Sequence, residues 1–71
     1  MKTIAVTEHE TKRIILSGDR YIRQNRVFGT VWKDIEETNE EWLAAKWIIN
    51  FDMKVAADYP TIEEIRKAQN D

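Results

Sequence analysis

Cysteine is absent from all 71 residues, and that constrains this chain more than any residue it contains. A domain of this size buries only about 60 % of the surface that its unfolded chain exposes. With no thiol, disulfides, thiolate zinc centres and cysteine nucleophiles are excluded together. Stability then rests on one apolar core, and the length allows a single domain over residues 1–71. Apolar residues make up 42 % of the chain, enough for a modest core and too many for a disordered polymer. Lack of cysteine also suits a reducing compartment. No apolar run reaches the ~20 residues needed to span a bilayer, and Met1–Val6 lacks the apolar centre of a signal peptide. The expectation is a cytoplasmic protein with no membrane partner.

Apolar periodicity and turn residues predict an α+β fold. It has a small antiparallel β-meander of three to four short strands over residues 2–33, a long helix over about 39–57 and a short C-terminal helix over about 61–69. Lys2–Val6 alternates and favours a strand. Arg13–Ser17 and Arg20–Gln24 flank Gly18-Asp19, a two-residue hairpin loop. That loop sets Leu16 opposite Tyr21 and Ile15 opposite Ile22. Gln24-Asn25-Arg26 reads as the next turn, leading into a strand over Val27–Lys33. Arg23 would then face Phe28, and Ile22 would face Gly29. Thr7 and Glu10 also match a capping box that could start a helix. The β-branched Ile14-Ile15 and the glycine at 18 make that helix a poor one.

Helix signals are stronger further on. Thr38 or Asn39 can cap the long helix, and Glu40 and Glu41 suit its first turn. Lys46, Asn50, Lys54 and Asp58 recur every four residues as a polar stripe. Pro60, with Thr61 and Glu64 as a second capping box, separates the last helix from the long one.

Side-chain alternation divides the predicted sheet into two faces. Ile15, Ile22, Val27 and Val31 form an aliphatic face suited to the long helix. Ile14, Leu16, Tyr21, Phe28 and Trp32 form the other, with Arg23 and Thr30 among them. One helix covers one face, so Tyr21, Phe28 and Trp32 are expected to form an exposed patch of the kind that marks an interaction site.

Chemistry-bearing motifs are scarce. His9 is the only histidine; it sits between two glutamates, with no second imidazole or thiolate to complete a metal or catalytic site. Asp34, Glu36, Glu37, Glu40 and Glu41 lack the glycine and ligand spacing of a calcium loop. No phosphate-cradling glycine loop is present, and a Ser/His/Asp arrangement has no suitable histidine. The expectation is a non-enzymatic protein with no cofactor, metal or catalytic residue.

Charge is unevenly distributed. Residues 1–33 carry a net +4, residues 34–71 a net −6. Either the two halves attract each other within the fold or each faces a partner. An acidic second half fits a protein partner with a basic surface. One concrete form is a small phage-type regulator or inhibitor, a DNA mimic whose carboxylates stand where phosphates would. The surplus of apolar surface also fits a homodimer. The candidate partner-binding residues are Tyr21, Phe28, Trp32, Asp34, Glu36, Glu37, Glu40 and Glu41. The alternative is nucleic-acid binding through Arg13, Arg20, Arg23, Arg26 and Lys33, interleaved with the same aromatics. Lys2–Glu8 followed by Lys12-Arg13-Ile14 resembles the start of the ribbon-helix-helix antitoxin repressors, over about fourteen residues. That resemblance implies a helix after Thr7 and DNA binding. The β-rich Val27–Trp32 departs from the family's second helix, so the meander is the reading carried forward.

Overall fold

A computed structural model describes residues 1–56 of the chain. Five strands and one helix follow in the order β1 (Lys2–Val6), β2 (Lys12–Ser17), β3 (Arg20–Phe28), β4 (Val31–Thr38), α1 (Glu41–Asn50) and β5 (Lys54–Val55). The sheet is antiparallel, with strand order β4-β3-β2-β1-β5. The helix therefore carries the chain from one edge of the sheet across to the other. This is a small α+β fold, as the patterning predicts.

The first two hairpins explain the meander. After β1, the Thr7 hydroxyl accepts the backbone N–H groups of Thr11 and Lys12, both at 3.1 Å. Glu10 adopts φ +54° to complete that turn. The residues that resemble a helix cap thus close a β1–β2 loop instead. Gly18-Asp19 forms the next turn, with Ser17 paired to Arg20 and Gly18 at φ +62°. Leu16 lies opposite Tyr21 and Ile15 opposite Ile22, the register expected from the sequence.

The third turn differs from expectation. β3 continues through Gln24, Asn25 and Arg26, and the chain reverses at Gly29-Thr30, where Phe28 pairs with Val31. Gly29 adopts φ +52°, and glycine takes that conformation without the steric cost that an arginine or glutamine meets. As a result Arg23 pairs with Glu36, not Phe28, and Ile22 with Glu37, not Gly29. The extension places opposite charges across the two strands, and the strands reach Thr38 where the expected meander ends at 33.

The faces also change. Ile4, Ala5, Ile14, Ala45, Ile48 and Met53 form the buried cluster, with Leu16, Tyr21, Trp47, Phe51 and Val55 packed against it. The helix thus covers the face of Ile14, Leu16 and Tyr21, not that of Ile15 and Ile22. The longer β3 shifts β4 into a register that sets Asp34 beside Gln24 and Glu37 beside Ile22, and with Arg13 opposite Gln24 these make a polar row that an apolar helix covers badly. Ile15 and Gln24 on this face are nonetheless buried, at 2 % and 8 % exposure. An irregularity between Thr3 and Ala5 leaves both Ile4 and Ala5 buried. Val27 and Val31, expected in the core, are 51 % and 44 % exposed.

The helix is shorter than the apolar pattern predicts, ending at Asn50 rather than 57. Asp52 adopts φ +51°, the left-handed conformation that commonly terminates helices. The N–H of Phe51 bonds to the Trp47 carbonyl at 3.0 Å and that of Met53 to the Ile48 carbonyl at 2.9 Å. Lys54 thereby leaves the predicted helical stripe and joins β5. At its start, Glu40 is the cap residue without a side-chain bond, and its N–H donates to the Thr38 hydroxyl at 3.1 Å. The helix expected over about 61–69 lies outside the described residues.

Candidate functional site

Opposite ends of the β3–β4 hairpin carry different chemistry. At the turn, Phe28 is 72 % exposed beside exposed Val27 and Val31. β2 pairs with β3 no further than Asn25, so the tip of the hairpin projects past its neighbour. Asn25 pairs with Lys33 and Arg26 with Trp32 just behind the tip. The Arg26 backbone N–H donates to the Thr11 carbonyl, and its Nη2 donates to the His9 carbonyl at 3.2 Å. These bonds anchor the base of the projection to the β1–β2 loop.

The other end is acidic. β4 carries Asp34, Glu36 and Glu37 toward Glu40 and Glu41 at the start of α1. All but Glu41 are exposed. Among them Ile35 is 40 % exposed and Trp42 53 % exposed. An irregularity between Arg23 and Gln24 opposite β4 leaves Ile35 without a paired residue. Bulges and charges of this kind blunt an edge strand against unwanted strand addition.

Much of the predicted basic set is engaged inside the fold. Arg20 pairs with Glu37, both side chains being about half exposed. Arg23 lies 3.4 Å from Glu36 and stacks over the rings of Phe51 at 4.8 Å and Trp47 at 5.9 Å. Arg13 donates from Nε to the Gln24 amide oxygen at 2.7 Å and lies 4.0 Å over Trp32. Gln24 in turn donates to Asp34 at 2.6 Å. The basic first half and acidic second half thus meet across β3 and β4. This is the internal attraction that their opposite signs allow.

Tyr21, Phe28 and Trp32 do not share a surface. Tyr21 packs against the core, Phe28 stands at the hairpin tip, and Trp32 lies under Arg13. Trp42, whose hydropathy alone favours burial, is exposed instead. Its one sequence signal is its place beside Glu40 and Glu41, in a first turn where charge favours solvent. A hollow of about 540 Å³ between the β1–β2 loop and the α1–β5 turn is lined by Glu8, Glu10, Asp52 and Lys54 with Val6, Thr7 and Met53. Among the described residues, no group of three or more His, Asp or Glu side chains is placed to hold a metal ion, and no helix is long and apolar enough to cross a membrane.

No protein-family model matches the chain, and no curated protein or solved structure matches it.

Proposed function

We propose that this chain is a non-enzymatic protein-binding module whose acidic β4–α1 corner docks on the basic surface of a partner protein. The observation that carries the reading is Trp42, more than half exposed beside Glu40 and Glu41, with exposed Ile35 on the adjoining strand. Exposed tryptophan is enriched among the residues that dominate binding energy. A rim of carboxylates gives sign selectivity and speeds encounter with a cationic surface. A cytoplasmic inhibitor or phage-type regulator that covers a DNA-binding surface is the concrete form. Its carboxylates would compete with phosphate for the same cations. A homodimer through this corner is disfavoured, because a two-fold contact would set the acids against their own copies. Nucleic-acid binding along residues 13–33 has less support, since Arg13, Arg20 and Arg23 already have partners within the fold.

The test is affinity capture with wild type, Trp42→Ala and the double variant Glu40→Lys/Glu41→Lys, with duplex DNA as competitor. The captured protein should be retained by wild type and displaced by DNA. Each variant should weaken its binding by about 30-fold, the scale of a hot-spot residue. Capture indifferent to both variants would refute the acidic corner. Sedimentation equilibrium at high concentration should show a monomer.

A further inference from the structure

We propose that the β3–β4 hairpin tip is a wedge that docks the protein on an anionic lipid surface. This surface is separate from the acidic corner and does not depend on it. The argument is the order of side chains with distance from the turn. Outermost are Gly29-Thr30, then the pair Phe28/Val31 with the irregular Val27 beside it. These three apolar residues are 72 %, 44 % and 51 % exposed. Behind them come the Arg26/Trp32 pair and the Asn25/Lys33 pair. From the tip inward the hairpin is therefore apolar, then aromatic and cationic. A bilayer interface has the matching order: acyl chains at depth, then the level where tryptophan settles, then anionic headgroups. At ~3.4 Å per residue, the Lys33 row lies roughly 10 Å behind the turn. That matches the ~5–10 Å to which interfacial elements bury their apolar parts.

Charge supports the same occupant despite the net −2 of the chain. Arg26 and Lys33 supply the cations of the two rows behind the tip, while Arg20 and Arg23 lie toward the far end of the hairpin beside Glu37 and Glu36. Glu37 stands six residues from Val31 along β4, so about 20 Å from the tip. With a Debye length of ~8 Å at physiological salt, the acidic corner is largely screened from a surface touching the tip. The nearer acids are Asp34, which follows Lys33 and accepts a hydrogen bond from Gln24, and Glu8 and Glu10 on the neighbouring β1–β2 loop, where Lys12 and Arg13 follow on the adjoining strand. A single strand of nucleic acid fits less well. Bases stack on successive open rings; Phe28 offers one, but Trp32 has Arg13 over it, and Val27 and Val31 offer a base no flat surface.

The experiment is co-sedimentation of the full chain with vesicles at low salt. One set is pure phosphatidylcholine, and the other contains a minority of phosphatidylglycerol. The protein should pellet with the anionic vesicles and less with the neutral ones. Phe28→Asp should reduce partitioning at least tenfold, and Lys33→Gln about fivefold, the contribution of one basic residue near an anionic surface. Phe28 is mostly solvated, so Phe28→Asp should leave the thermal midpoint unchanged, which separates lost docking from lost folding. Trp42→Ala should leave vesicle binding intact, separating this surface from the acidic corner. No pelleting with anionic vesicles, or pelleting unaffected by Phe28→Asp, would overturn the proposal. So would tighter binding to an oligothymidylate than to vesicles, with Phe28→Asp abolishing it.

Discussion

Arg23 is only 8 % exposed, beneath the C-terminal end of α1, and its Nε has no hydrogen-bond partner. Desolvating a guanidinium is costly, and Glu36, whose side chain is 52 % exposed, supplies only a partly screened countercharge. Stacking on Phe51 and Trp47 recovers part of the cost through dispersion and cation–π attraction. The aliphatic stem and planar head thus act largely as packing material. Arg23→Met should therefore hold the urea midpoint or raise it, because an apolar chain of similar length removes the desolvation cost. Arg23→Ala should lower stability by about 2–3 kcal/mol, because it opens space between the sheet and the two rings. If both variants lose stability equally, the charge, not the packing, is what the fold uses.

Among the elements, turn chemistry divides what was legible from what was not. Gly18-Asp19 is readable because it stands between two short runs rich in β-branched and aromatic residues, Arg13–Ser17 and Arg20–Gln24. Gly29-Thr30 has the same glycine-first form, yet it sits inside Val-Phe-Gly-Thr-Val-Trp, a run whose β propensity hides a reversal. Asn25 competed for the turn with its own propensity, and only the pairing of β3 with β4 excludes it. The Thr7 signal was real in chemistry and wrong in address. Its hydroxyl does accept backbone N–H groups, but those of Thr11 and Lys12 in a β1–β2 loop. Thr7→Val should cost about 1–2 kcal/mol in denaturant unfolding, through the loss of two accepted bonds, and Thr7→Ser should restore most of it. The end of α1 was illegible for a related reason: apolar residues continue past Asn50, and Asp52 stops the helix through its backbone, not through its hydropathy. The exposed tip was half-legible. Phe28 was picked out, but as part of a broad face, because an error of a few residues in the turn redistributes every side chain between faces.

At the scale of the whole molecule, the core is small. Ile4, Ile14, Ile48 and Met53 are its largest fully buried side chains. Among the described residues, one helix covers the Ile14 face of the five-stranded sheet. Ile48 stands at the centre of that contact, so Ile48→Ala should cost about 2–4 kcal/mol and Ile48→Val about 1 kcal/mol. For a domain whose total stability is of the order of 5 kcal/mol, the first change should lower the thermal midpoint by roughly 10–30 °C and the second by only a few degrees. Circular dichroism melts distinguish these outcomes. Equal melts would mean that the helix contributes little to the cooperative unit. The same scale explains the divided charge: its two signs meet across β3 and β4.

The crossing of α1 from one sheet edge to the other has a consequence for biosynthesis. Hairpins β1–β2, β2–β3 and β3–β4 join neighbours along the chain and can zip as they emerge from the ribosome. Ala5 pairs with Val55, however, so β1 waits for a partner fifty residues away. Until that stretch has been translated, the nascent meander has no lid over Ile14 and Ile4. The core therefore closes only after residues 54–55 have been translated, and a ribosome stalled inside α1 would hold a sticky sheet in need of a chaperone.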